Sequence, residues 1–347
     1  MIDQPVILEP QVLDYAWGSK TAIQSLLGMP AGQTPWAELW MGAHPKAAGK
    51  IRCDGQTVAL DRLIEQAPDA IVGPAIAEKF ERTLPYLFKV LAAEQPLSIQ
   101  AHPDRAMAAE GFRRENAQGI PNAAAHRNYR DPRPKPEIIC ALEPFDALYG
   151  FRPPAAIAEL LQRFCPASLA AAGKALRCSP DGAGIKTLFE TLLTLAQERK
   201  AEVIGEARRN AARIQSDESR WIVRLHNAYP EDIGVLSPLI LNLVRLEPEQ
   251  ALFLPAGCLH AYLSGVGIEL MANSDNVLRG GLTRKHIDVG ELLRGLHFAP
   301  STPEILEPEP VGPVELRYRL PVDEFALSMI SVAEAKPYAG PGQHSAE

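Results

Sequence analysis

Apolar residues change their spacing twice along this chain. Up to about residue 150 they fall in short runs, such as YLFKVLAA (86–93), LSIQAH (97–102) and KPEIICAL (135–142), punctuated by Pro and Gly in the manner of β-strands. From Pro154 to about Tyr229 they recur three and four residues apart, in AAIAELLQRF, IKTLFETLLTLAQERK, AEVIGEARRNAARIQ and SRWIVRLHNAY, which predicts a block of amphipathic helices. Strand character then returns with LILNLVRL (239–246) and ALFLPAGCLHAYLSGVGIELMA (251–272). A β-region that is interrupted and then resumed must fold back on itself, so the expected architecture is mainly β with an α-helical insertion. The boundaries read as 1–150 and 235–300 for the two parts of one β-domain and 151–234 for the helical insertion. The last segment, 301–347, is set apart and reads as a strand-like run followed by a loop. Two hairpins are expected, one at EQP (94–96) and one at Gly265 and Gly267.

Bulk properties narrow the function. A chain of 347 residues, 46% of them hydrophobic, can bury substantial cores. Its net charge of -7 argues against nucleic acid as the main partner. Five cysteines without a C-x-x-C pair argue against a disulfide framework and against a thiolate zinc site. No basic leader precedes an apolar core and no segment has the length of a membrane span, so a cytoplasmic location is expected.

Polar groups inside the strand-like runs carry the chemistry. Side chains alternate across a strand, so Gln100 and His102 share one face while Ile99 and Ala101 take the other. Glu137 opens the run in KPEII, and His260 shares a face with Cys258 and Tyr262. Each alone reads as an ordinary core or strand-end residue. Together, Gln100, His102, Glu137 and His260 offer two imidazoles, a carboxylate and an amide oxygen, a donor set suited to zinc and, lacking sulfur, to a metal that does chemistry. The stretch IELMANSDNVLRGGLTRKHID (268–288) adds Glu269, Asp275, Asn276, Arg279, Thr283, Arg284, Lys285 and Asp288. That is more hydrogen-bonding capacity than a connector needs, and its cations suit an anion pocket.

The stretches YAWGSK, AELWMGAHPKA, SIQAHPD, DPRPKPE and LPAGCLHAYLSGVGIELMANSDNVLRGGLTRKHID resemble those of type I mannose-6-phosphate isomerases, a zinc-dependent group. The likeness runs from about Tyr15 to beyond Asp288. It implies a cupin-type β-barrel holding one Zn2+ per chain through Gln100, His102, Glu137 and His260, and a partial second cupin-like domain at the C-terminus. It also implies interconversion of mannose 6-phosphate and fructose 6-phosphate by proton transfer between C1 and C2 through an enediol. Lys135, Arg279, Asp275 and Glu269 are then expected to be catalytic, and Ser98, Lys89 and Lys285 to bind substrate. Lys135 is the expected proton shuttle, Arg279 the group that steadies the enediolate or phosphate, and Asp275 the ring opener.

Two departures stand out. The family commonly has N-H-K-P-E where this chain has Arg133-Pro134-Lys135-Pro136-Glu137, so the histidine beside the lysine is missing. Family members also continue past GQHSAE, whereas this chain stops at Glu347, which reads as a shortened domain with unpaired strand edges. The partner is a small sugar phosphate, with no nucleic acid or membrane, and the chain is expected to be a monomer. A metal-dependent cupin oxygenase and a non-catalytic sugar-phosphate-binding protein are the competing readings. His44 is read as packing or capping a turn, and Trp17, Trp36 and Trp40 as core aromatics. His126, His226, His286, His297 and His344 receive no role.

Overall fold

The computed structural model describes residues 6–53 and 55–332. Its organising element is a single strand of 13 residues, His260–Ala272, which belongs to two sheets at once. Its first half pairs with Phe145–Phe151, and the second half lies between Tyr86–Ala93 and Glu137–Ala141, antiparallel throughout. Glu38–Gly42 extends the sheet beyond Tyr86–Ala93, and Ala251–Leu254 extends it beyond Glu137–Ala141. Leu241–Leu246 pairs with Phe145–Phe151, while Leu278–Gly281 pairs with Ile99–Ala101.

Neither expected hairpin forms. Pro96 has no N–H to donate, and the next amide, Leu97 N–H, goes to the Tyr262 carbonyl at 2.9 Å. The chain therefore leaves Tyr86–Ala93 and enters the other half of the central strand, where Gln100 sits opposite His260. At Gly265 the chain bends without turning back. Its φ is +130°, the register shifts between Tyr262 and Ser264, and a Cβ there would lie 2.8 Å from both the Pro144 carbonyl oxygen and Phe145 Cα. Glycine permits a bulge at this close approach, and the bulge swings one strand from the first sheet into the second.

The inner faces of the two sheets pack on each other. Phe145, Val244, Leu246 and Tyr262 from one interleave with Leu91, Ile139, Leu252 and Leu254 from the other. The outer faces are covered differently. Five α-helices, Pro154–Phe164, Ala170–Cys178, Gly182–Leu193, Gln197–Ala211 and Asp217–Ala228, follow the expected block. Proline at the first helical position starts the first, and side-chain caps from Asp181 and Ser216 start the third and fifth. Their buried faces share one apolar cluster with Ile99, Leu148, Phe151, Leu259 and Leu263 of the sheet.

On the other side, Tyr318, Phe325 and Leu327 cover Ile138, Cys140 and Leu270. This C-terminal stretch forms a small antiparallel sheet of Glu309–Pro310, Glu315–Arg317 and Ser328–Ile330. The rest of the expected C-terminal domain, with His344, lies outside the described residues. Further helices, among them Arg105–Ala117, lie between the strands, so the molecule is a mixed helix-and-sheet fold where the sequence reading had expected mainly β. Among the described residues no helix is long and apolar enough to cross a membrane.

Candidate metal centre and active site

Strand register brings the chemically interesting residues into rows. Gln100 lies directly opposite both His260 and Arg279, so the three occupy one face across neighbouring strands. In the second sheet Trp40, Lys89 and Glu269 are aligned in the same way. Glu137 is two residues from Ile139, the register partner of Glu269, and so shares that inner face.

The rows converge on a buried group of His102, Glu137 and His260, whose ligand atoms all lie within 4.8 Å of one another. Both imidazoles are oriented by the backbone. His102 Nδ1 lies 2.7 Å from the Asn276 carbonyl and His260 Nδ1 lies 3.0 Å from the Cys258 carbonyl, so each Nδ1 carries the proton. The Nε2 atoms then present lone pairs, and they face Glu137: His102 Nε2 to Oε1 at 3.2 Å and His260 Nε2 to Oε2 at 3.4 Å. Neither Nε2 has a hydrogen-bond donor, and burial pushes the His102 imidazole down to about 4, against the pull of Glu137, so it is neutral near pH 7.

Acceptors facing acceptors in a dry interior are unfavourable unless a cation lies between them. The separations suit one. Tetrahedral zinc with ligands at about 2.0–2.1 Å places neighbouring ligand atoms about 3.3 Å apart. Gln100, across the strand from His260, supplies an amide on the same face.

Beside this centre, Lys135 Nζ lies 3.1 Å from Glu137 Oε1. Burial alone would raise the Glu137 carboxyl, but the charge of Lys135 pulls it back down. Lys89 is buried between two carboxylates, 2.7 Å from Glu269 and 3.3 Å from Glu38, with its ammonium over the Trp40 ring. Burial pushes Glu269 up, Lys89 pulls it down, and the net shift is upward because Glu137 and Glu38 add to the burial. With two donors committed, Lys89 keeps a third N–H for another oxygen.

The polar stretch after the central strand forms the rim. Asn276 is fully buried: its side chain accepts from the Arg130 amide at 2.7 Å and donates to the Asp131 and Arg133 carbonyls at 2.8 and 2.9 Å. Asp131 accepts from the Ser274 hydroxyl and the Asp275 amide. Asp275 points its half-exposed carboxylate at His44 Nε2, 3.4 Å away, and the hydrogen bond from that imidazole brings it down to about 2.

Arg279 lies on the strand Leu278–Gly281, and its guanidinium is lowered by burial and then by Arg130. Lys285 is lowered by burial and then by Arg279, Lys46 and Arg130, so four cations share this rim. Ser98 sits in the crossover just before Ile99. His44 does cap a turn, accepting the Lys46 amide at 3.2 Å, but it also reaches Asp275. Trp40 is a core aromatic that also holds Glu38 by its indole N–H at 3.1 Å. Sequence reasoning gave no role to Glu38, Asp131, Arg130 or Asn276; only the density of polar residues after Ile268 pointed toward one of them.

Residues 6–154 match the family described as phosphomannose isomerase type I, catalytic domain. The mannose-6-phosphate isomerase of Salmonella typhimurium is 45% identical over 338 residues, covering 96% of this chain and 85% of that one. The human mannose-6-phosphate isomerase is 35% identical over 319 residues, covering 84% and 72%. A crystal structure of the Salmonella typhimurium enzyme bound to fructose 6-phosphate and zinc matches with a TM-score of 0.88 at 43% identity, over 94% of this chain and 83% of that one. The chain belongs to the type I phosphomannose isomerase family.

Proposed function

We propose that this protein interconverts mannose 6-phosphate and fructose 6-phosphate, with one Zn2+ held by Gln100, His102, Glu137 and His260. The observation that carries the reading is the pair of donorless imidazole nitrogens facing one carboxylate, with Lys135 alongside. Zinc bound there would polarise the sugar oxygens at C1 and C2 and offset the charge of an enediolate.

The chain's own groups do the rest. Arg279 and Lys285, with Ser98, hold the phosphate or the developing anion; Lys89 offers its remaining N–H to a substrate oxygen. Lys135 moves the proton between C1 and C2, Glu269 handles the hydroxyl protons, and Asp275 opens the sugar ring. The two facing sheets read as a cupin-type barrel built from 1–150 and 235–300. The helical segment 151–234 and the C-terminal strands from 301, the start of a second cupin-like domain, cover its outside. The reading takes the chain as a monomer in a reducing cytoplasm, and the four described cysteines Cys140, Cys165, Cys178 and Cys258 are free.

The test is direct. Zinc-loaded protein given mannose 6-phosphate should form fructose 6-phosphate and exchange the C2 hydrogen with solvent. Oxygen consumption without isomerisation would favour the oxygenase reading, and binding without product would favour a non-catalytic one.

A further inference from the structure

We infer that His44 is the positioning residue for opening of the sugar ring, acting through Asp275; this rests on the isomerase reading above. A hexose 6-phosphate is a cyclic hemiacetal, and no proton can move between C1 and C2 until the ring opens to an aldehyde. That step needs a base beside the anomeric hydroxyl, on the solvent side of the metal centre.

Asp275 is the carboxylate proposed above for that step, and it lies near enough to feel the charge of Lys135. It and His44 line a cleft of about 660 Å³ together with Lys46 and Arg130. The root of Asp275 is fixed, because its amide donates to Asp131 Oδ2 at 2.9 Å. Among the described residues, the hydrogen bond that fixes its head comes from His44. The imidazole is buried, with its edge against Trp40 at a ring separation of 5.1 Å. Its Nδ1 accepts the Lys46 amide at 3.2 Å, so the ring proton sits on Nε2, aimed at Asp275 Oδ2 at 3.4 Å. Outside the metal centre this is the one carboxylate–imidazole couple among the described residues, and Pro134, next to Lys135, has no titratable group to compete with it.

The step balances as follows. The Asp275 carboxylate takes the O1 proton, C1–O1 becomes a carbonyl, and the C1–O5 electron pair goes to O5, which takes a proton from a water in the cleft. The hydroxide left behind recovers the proton from the Asp275 carboxyl. The Nε2–H of His44 keeps the carboxylate aimed throughout and ionised between turnovers; the lowered pKa of Asp275, down to about 2, is in line with that contact.

Two readouts on zinc-loaded enzyme separate this role from general scaffolding. The first is the exchange rate between the anomers of mannose 6-phosphate, measured by NMR exchange spectroscopy. The second is the affinity for an acyclic hexitol 6-phosphate, which needs no ring opening. Asp275→Asn and His44→Leu should slow anomer exchange at least about tenfold. Hexitol phosphate affinity should stay within about twofold in every variant. His44→Gln, which keeps an N–H toward Asp275, should recover most of the exchange rate. Wild-type exchange in His44→Leu, failure of His44→Gln to recover, or parallel loss of hexitol phosphate binding would each overturn the assignment. If the wild-type enzyme forms no fructose 6-phosphate, the isomerase reading has failed; if it does and His44→Leu exchanges anomers normally, only this inference has.

Discussion

The orientation of His102 depends on a residue whose side chain never approaches the metal centre. Asn276 fixes its own backbone by bonding the Arg130, Asp131 and Arg133 main chain, and its carbonyl then receives the His102 ring N–H. Groups that orient a ligand in this way are commonly worth about 10–100-fold in metal affinity. Asn276→Ala should therefore weaken zinc by roughly that factor in a chelator competition, with the four ligands intact. Asp275 supplies a second expectation. Its folded value near 2 lies below the ordinary 3.8, so its contribution to stability is present above about 3.8 and lost as pH falls through about 2. Carboxyl carbon NMR should show this titration, and in His44→Leu the midpoint should move up toward 3.8. The gathering of His102, Glu137 and His260 was legible because a polar residue on a strand face stands out against alternation. The His44–Asp275 pair was not, since nothing local to MGAHPKA reveals a partner far along the chain.

At the level of elements, the switch of period from strand to helix and back located the helical segment, because amphipathic spacing is a local property. The pairing of strands was not local. Two short apolar runs joined by EQP look like a hairpin until tertiary context supplies Tyr262 as the acceptor for Leu97. The paired glycines of the central strand likewise look like a turn until Phe145 approaches. Gly265 is the point where this reading can be tested. Gly265→Val forces a β-branched residue into a φ of +130° against the Pro144–Phe145 backbone. It should lower stability by about 3 kcal/mol, the strain and the clash acting together, as read from urea unfolding.

At the level of the whole molecule, helices and sheets share a core, since Phe151 and Leu148 of a strand lie in the same cluster as Trp221, Phe189 and Leu161 of the helices. The helical segment should therefore not melt separately. Far-ultraviolet circular dichroism and tryptophan fluorescence should report coincident transitions, and Phe151→Ala, emptying the junction, should shift both together by about 3–5 kcal/mol. The bend between the two sheets places the candidate metal centre: one strand carries His260 in the first sheet and Glu269 in the second, and its neighbours bring Gln100 and Glu137. Titrating zinc into chelated protein while following fructose 6-phosphate formed from mannose 6-phosphate tests that centre most directly. Turnover should rise linearly and break at one zinc per chain, and His102→Ala should abolish the rise. Undiminished turnover by the chelated protein, or a rise that survives in His102→Ala, would contradict it.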